Sequence, residues 1–235
     1  MSEESAAERT VLEERTLTPM RKTIARRLGE SYREAVHVTV NRTVDAEPLR
    51  AATDAAAADE TGSTPSVTDV ILCALSETLA SHPSFNATYE DETHRLYDEQ
   101  NVGIAVSIDD GLVTPVLSDL ASKSLIEVTT ARRRLTERVQ SGDYTMGLFR
   151  NGTFTLSNLG PLGVDSFDPI INPPEVAILG LGRMTGRAVE SEGAVEVRQH
   201  LTLSLSIDHR ILDGADAARF LETLANNVET AEKYG

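Results

Sequence analysis

Between Leu201 and Val228 the spacing of apolar residues changes period once, and no other stretch constrains the fold as tightly. Leu201, Leu203, Leu205 and Ile207 alternate with Thr202, Ser204 and Ser206, the period-two pattern of a half-buried strand. Beyond Gly214 the apolar positions are Ala217, Phe220, Leu221, Leu224, Ala225 and Val228, which is helical spacing. The residues between, Asp208-His209-Arg210-Ile211-Leu212-Asp213-Gly214, must turn a tight polar corner. Asp213 is placed to cap the helix, because its carboxylate can accept from the free amides of the first turn. His209 thus stands where a rigid strand ends, a position suited to proton transfer. For a lone imidazole, a satisfied half-core histidine is the plainer account.

Residues 1–17 are polar and acidic and are expected to form a mobile tail, with one domain over 18–235. Thr18 is a helix cap with Pro19 behind it. Met20, Ile24 and Leu28 make the apolar stripe of that helix, and Arg21, Lys22, Arg26 and Arg27 make it basic. Such a patch fits an acidic partner or a phosphate, and equally a face left to solvent. A strand from Val36 toward Val44, an alanine-rich helix over Pro48–Ala58 and a helix over Val67–Ser81 follow the loop and alternation signals. Short strands are predicted near His94–Tyr97, over Val102–Ile108 and over Leu112–Leu117, the last two joined by an Asp109-Asp110-Gly111 turn. Ser124 opens a helix to Gln140. Strands over Thr153–Ser157 and Glu175–Leu181 precede a turn at Glu192-Gly193 and the last strand. The order predicts a single α/β domain, a mixed sheet with helices mainly on one side.

Charge excludes some function classes. The chain has 37 acidic residues against 22 basic ones, and only Lys22, Lys123 and Lys233 are lysines. A net charge of -15 repels nucleic acid. Its lysine-poor acidic surface suits a salty cytoplasm, a halophilic trait, or simple solubility. No apolar run approaches the ~20 residues that span a bilayer, so no membrane role is expected, and the chain reads as cytoplasmic. Cys73 lies in the apolar run Val70–Leu75, a poor setting for a nucleophile. His37, His82, His94 and His200 lack paired ligand spacing, and no metal is expected. Gly180-Leu181-Gly182 misses the third glycine of a dinucleotide fingerprint. Ser157, His209 and Asp213 could compose a hydrolase triad, but Ser157 has no Gly-x-Ser-x-Gly elbow.

Asp208-His209-Arg210-Ile211-Leu212-Asp213-Gly214 resembles the Asp-His-Arg-x-x-Asp-Gly motif of the dihydrolipoyl acyltransferase component of 2-oxo acid dehydrogenase complexes. Gly152–Gly160, Pro173–Gly180 and Thr18-Pro19-Met20-Arg21-Lys22 are similar to further stretches of that family in the same order. The resemblance implies a chloramphenicol-acetyltransferase-like two-layer sandwich. It also implies a homotrimer with active sites between subunits, and assembly into a larger cage-like core with other components of the complex. The implied reaction moves an acyl group between a dihydrolipoyl thiol and coenzyme A, which serves as a substrate. By the same resemblance His209 is the general base, Ser157 the oxyanion donor, and Asp213 the residue that holds the motif's loop. A thiol near ~8.5 is mostly protonated at neutral pH, and an imidazole near ~6.5 can take its proton during attack. Members of the family also carry lipoyl and subunit-binding domains. This chain leaves room for neither, so the lipoyl group is expected on a separate protein or domain. Two other readings stay open: a non-catalytic core protein, and an acetyltransferase acting on a small hydroxyl compound, although those relatives have His-His where this chain has Asp208-His209.

Overall fold

In a computed structural model, residues 9–56, 62, 64–108, 111–191 and 193–235 are described. The first eight residues of the expected tail, the end of the alanine-rich helix, Thr61 and Ser63 of its loop, the Asp109-Asp110 turn and Glu192 lie outside them. Residues 9–17 have no regular secondary structure and are exposed.

The elements in chain order are α1 (Pro19–Glu34), β1 (His37–Asp45), α2 (Glu47–Ala56), α3 (Val67–Ser81), β2 (Ala87–Glu90) and β3 (Thr93–Leu96). Next come β4 (Val102–Ile104), β5 (Val106–Ile108), β6 (Gly111–Val113), β7 (Val116–Leu117) and α4 (Leu125–Gln140). The chain ends with β8 (Phe154–Asn158), β9 (Ala177–Leu181), β10 (Thr185–Ser191), β11 (Ala194–Asp208) and α5 (Gly214–Glu229). The main sheet has seven strands in the order β1-β11-β9-β8-β4-β7, with β10 on β11. It is mixed: β4, β8 and β9 run parallel, and β11 is antiparallel to β1, β9 and β10.

Period-two spacing assigns the two faces of this sheet. Leu201, Leu203, Leu205 and Ile207 of β11 are buried, as are Phe220, Leu221, Leu224 and Val228 of α5. Each such side chain contributes roughly 1.5–3 kcal/mol. Phe220 stacks with Phe85 at 4.4 Å and Phe154 at 5.9 Å between ring centres, which fastens α5 and the sheet together. The other face carries small polar residues and, against the half-buried strand expected there, is also covered: Ser204 and Ser206 are buried, and the Ser206 hydroxyl is 2.8 Å from that of Thr39. α3 begins with a capping box in which Asp69 accepts from the Ser66 amide, and α4 repeats the device with Ser124 and Glu127.

Three expectations need correction. The strand expected over Val102–Ile108 is divided at Ala105, whose amide donates to the Leu156 carbonyl, so β4 joins the main sheet and β5 pairs with β6. The strand expected over Leu112–Leu117 is likewise two, because Pro115 has no amide to offer a ladder. β9 starts at Ala177, not Glu175, because Glu175 closes a turn onto the Asn172 carbonyl. β10 was not expected at all; most of its residues are exposed, so no apolar alternation marks it.

Candidate active site

The polar corner is built around a buried carboxylate. Asp208 is only 2% exposed, yet its oxygens accept from the Val36 amide at 3.2 Å, the Arg210 amide at 3.1 Å and the Arg210 guanidinium at 2.6–3.0 Å. Burial alone would raise its pKa, but the bonds from Arg210 and Val36 outweigh that and hold it below the usual carboxylate range. The Asp208 carbonyl accepts from the amides of Ile211 and Leu212, both at 3.0 Å. Arg210 lies over the Tyr89 ring at 4.8 Å.

His209 is therefore an exposed imidazole between pinned neighbours. Its amide donates to the Val36 carbonyl at 2.8 Å, and its side chain is 39% exposed. Asp213 stands at the N-cap position of α5, its amide donating to Asp216 Oδ2 at 3.1 Å. Asp213 Oδ1 is 3.6 Å from His209 Nδ1, an ion-pair distance too long for a hydrogen bond. The structure thus brings His209 and Asp213 together.

It does not bring Ser157 to them. Ser157 pairs with Gly180, and Gly180 pairs with Ser204, so the three are level across the sheet. His209 follows Ser204 by five residues and lies two strands away from Ser157. At ~3.3 Å per residue and ~4.8 Å per strand, the serine and histidine of one chain are about 19 Å apart. A hydrolase triad within one chain is ruled out by that separation. Ser157 is 8% exposed. Its neighbours are engaged, Thr155 with Glu175 and Asn158 with Thr68 and the Gly160 amide. Among the described residues the Ser157 hydroxyl makes no hydrogen bond, which leaves it available to an oxygen from outside the chain.

Gly180 and Gly182 serve close packing, not a nucleotide. A Cβ on Gly180 would meet the Phe167 ring at 2.8 Å, and one on Gly182 would collide with the Asp165 carbonyl. Cys73 is buried, and burial followed by the charges of Asp69 and Glu77 pushes its thiol up to about 12, far from nucleophilic. Among the described residues no group of three or more His, Cys, Asp or Glu is placed to hold a metal ion, and no helix is long and apolar enough to cross a membrane.

Sequence reasoning missed Glu175, for which an isolated acidic residue beside Pro-Pro gives no signal. It is buried between the strands, accepting from Thr155 Oγ1 at 2.5 Å and Asn172 Nδ2 at 2.9 Å. Burial pushes its pKa up to about 7, although Thr155, Asn172 and the charge of Arg27 pull the other way. In the unfolded chain it titrates near 4.5. Between those values the unfolded state gives up the proton first, so stability falls as pH rises through the window, by about 3 kcal/mol. Glu175→Gln is expected to flatten that slope in urea midpoints taken from pH 4.5 to 7.5; an unchanged slope would assign it to other groups.

Residues 10–235 match the family described as 2-oxoacid dehydrogenases acyltransferase (catalytic domain). The chain is 32% identical over 224 residues to the dihydrolipoyllysine-residue acetyltransferase component of the pyruvate dehydrogenase complex of Rickettsia bellii. That match covers 93% of this chain and 54% of the relative, so the chain spans about half the length of the curated relatives it matches. Two solved structures superpose with a TM-score of 0.89 at 32% identity, covering 93% of this chain and 91% of theirs. One is the cubic core of the pyruvate dehydrogenase multienzyme complex. The other comes from a study of a serine, a histidine and an asparagine in the catalytic mechanism of Azotobacter vinelandii dihydrolipoamide acetyltransferase. Chloramphenicol acetyltransferase, at 16% identity and a TM-score of 0.53, shares the fold alone.

Proposed function

The chain belongs to the 2-oxo acid dehydrogenase acyltransferase family, as its catalytic domain, and on that premise we propose that it moves an acyl group reversibly between a dihydrolipoyl thiol and coenzyme A. We place each active site between two copies, with His209 from one and Ser157 from the next. The observation that carries this reading is the separation of about 19 Å within one chain. His209 is exposed without Ser157 beside it, and Ser157 has a free hydroxyl without a base beside it.

With Nδ1 turned toward Asp213, Nε2 of His209 is the nitrogen left to accept a proton. It takes the proton from the attacking thiol as sulfur bonds to the thioester carbon. The neighbour's Ser157 donates to the oxygen that gains charge. Collapse expels the second sulfur, which recovers the proton from the imidazolium. Sulfur replaces sulfur, and no acyl-enzyme forms. Asp213, as helix cap and as the carboxylate nearest the ring, holds the loop that aims His209.

The serine, histidine and asparagine studied in the A. vinelandii enzyme have the same two sequence intervals as Ser157, His209 and Asp213. This supports the assignment, with aspartate here in place of asparagine. Shared sites require a closed assembly; family membership favours a homotrimer, and the likeness to a cubic core favours its extension to a larger shell. The lipoyl group arrives on another protein or domain of a 2-oxo acid dehydrogenase complex. The acidic, lysine-poor composition is read as that of a cytoplasmic protein at high salt.

The test is a panel of acyl-coenzyme A donors offered dihydrolipoamide or small hydroxyl compounds. Thioester product is expected with dihydrolipoamide. Transfer to a hydroxyl alone would overturn the thiol assignment, and no transfer to either would leave only a role in assembly.

A further inference from the structure

We propose that His37 is a positioning residue for acyl transfer: as a neutral imidazole it pins the loop over the Ser157 face of the sheet, and so sets the approach to that serine. The role of Ser157 itself rests on the function proposed above. β8 and β9 are parallel neighbours, so the chain must cross over between them. The crossover, residues 159–176, is irregular apart from one short turn of 3-10 helix at Gly160–Leu162. Its backbone groups therefore need partners from elsewhere. Ile171 finds both of its partners in side chains. Its amide donates to His37 Nε2 at 3.2 Å, and its carbonyl accepts from Ser31 Oγ at 2.6 Å. Its own side chain is buried, and two residues on the Pro173 carbonyl accepts from Arg27.

The partners of His37 fix which form of the ring they accept. A carbonyl can only accept, so Nδ1, 3.2 Å from the Ala35 carbonyl, carries the ring proton. An amide can only donate, so Nε2 keeps its lone pair. A protonated ring would set a second N–H against the Ile171 amide, and the bond would be lost. Of the five histidines, His37 alone is bonded at both ring nitrogens among the described residues; His82, His94 and His200 are bonded at one. The titratable and charged groups around it come from three elements. Asp208, held by Arg210, is directly opposite in β11, with His209 next to it. α1 brings Tyr32, its ring centre 5.9 Å away, and ends with Arg33 and Glu34. In the loop Asp168 precedes Ile171, and Glu175 is taken by Thr155 and Asn172.

The loop reaches from His37 to Ser157. Ser157, Gly180 and Ser204 are level across the sheet, so their side-chain positions share one face. Phe167 occupies that face, because its ring fills the place a Cβ on Gly180 would take. The ring is thus one strand, ~4.8 Å, from Ser157. Little else holds it there. Residues 166–170 make no hydrogen bond among the described residues, and the buried Ser204 hydroxyl beside Gly180 has no partner. The span that carries Phe167 is tied only at its two ends. One tie is the exposed pair of Asp165 and Arg183, and the other is Ile171 on His37 and Ser31. Releasing the His37 bond therefore frees the ring that borders the oxyanion donor.

The experiment compares the unmodified protein with His37→Phe, which keeps a ring and removes both nitrogens, and with His37→Gln, whose amide oxygen can take the place of Nε2 and does not titrate. Hydrogen exchange read by mass spectrometry should be about tenfold faster over the peptide containing Ile171 in the Phe variant, and close to the unmodified rate in the Gln variant. With free dihydrolipoamide, kcat should fall about tenfold in the Phe variant and less than about threefold in the Gln variant. In a Ser157→Ala background the Phe substitution should cost less than about twofold, because the group it positions is already gone. A residue that only supports the fold would give additive losses. Between roughly pH 7.5 and 5.5 the unmodified protein should lose activity more steeply than His37→Gln, since two imidazoles take up protons in the first and only His209 in the second. Unchanged exchange in the Phe variant, equal impairment of the Phe and Gln variants, additive losses or parallel pH profiles would each overturn the proposal. If His37→Phe does not assemble, the exchange and pH profile of His37→Gln decide alone. Failure of the function itself would appear separately, as no transfer to free dihydrolipoamide by the unmodified protein, with the exchange result still reporting the loop's anchor.

Discussion

His209→Ala is expected to lower kcat for acyl transfer to dihydrolipoamide by roughly 10²–10⁴, with little change in thermal stability. The size follows from what the imidazole does. A thiol near its ordinary pKa of ~8.5 has a small thiolate fraction at neutral pH, and the other imidazole at this corner, His37 opposite Asp208, has both ring nitrogens engaged, by the Ala35 carbonyl and the Ile171 amide. Asp213 is 78% exposed and Asp208 is fully engaged by Arg210 and Val36. Stability should be spared because the corner does not rest on the ring. The strand end is held through the backbone of His209 to Val36 and through the carboxylate of Asp208, both of which the substitution leaves in place. Stopped-flow or coupled assay of thioester formation reads the first quantity, and a melting curve reads the second. A loss below tenfold would remove His209 from the proton-transfer step. A large loss accompanied by a fallen melting temperature would make it a structural residue instead.

How much of this was legible in the chain depends on which physical signal each element sends. β11 and α5 were readable because apolar side chains on one face impose a period, although Ser204 and Ser206 on the other face of β11 are buried as well, and the seven residues between the two elements could only be a corner. Ser66, Ser124 and Asp213 each open a helix with an acidic residue three positions on, so those helix starts were signalled locally. β10 sends no such signal, because a hairpin exposed on both faces has no reason to alternate. The break at Ala105 was hidden for a different reason: strand pairing with Leu156 is a tertiary choice, made by a partner 51 positions away. The site itself was only half legible. Residue types named His209, Asp213 and Ser157, but nothing in their spacing says that Asp213 is 3.6 Å from the ring while Ser157 lies two strands away. That fact needs strand register, through Gly180 and Ser204, which lies between segments and not within any one of them. Glu175 was invisible because its burial is conferred by the loop folded over it.

The same register makes the second prediction unusually sharp. Ser157→Ala, like His209→Ala, is expected to be nearly inactive, with a loss of roughly 10²–10³ from the missing oxyanion donor. Mixed and reassembled in equal amounts, the two inactive proteins should recover about a quarter of the unmodified activity per site. In a closed ring each copy lends its histidine to one neighbour and its serine to the other. A site is intact when the copy giving the histidine carries the alanine at 157 and the copy giving the serine carries it at 209. Random assembly makes each condition true half of the time. If both groups of a site came from one chain, no mixture could restore any site, since every chain lacks one of them. The strands separate those groups by about 19 Å, so rescue is the outcome the geometry demands. Native mass spectrometry on the same sample establishes that mixed rings have formed. Mixed rings without recovered activity would break the shared site, and with it the pairing of base and oxyanion donor on which the proposed reaction depends.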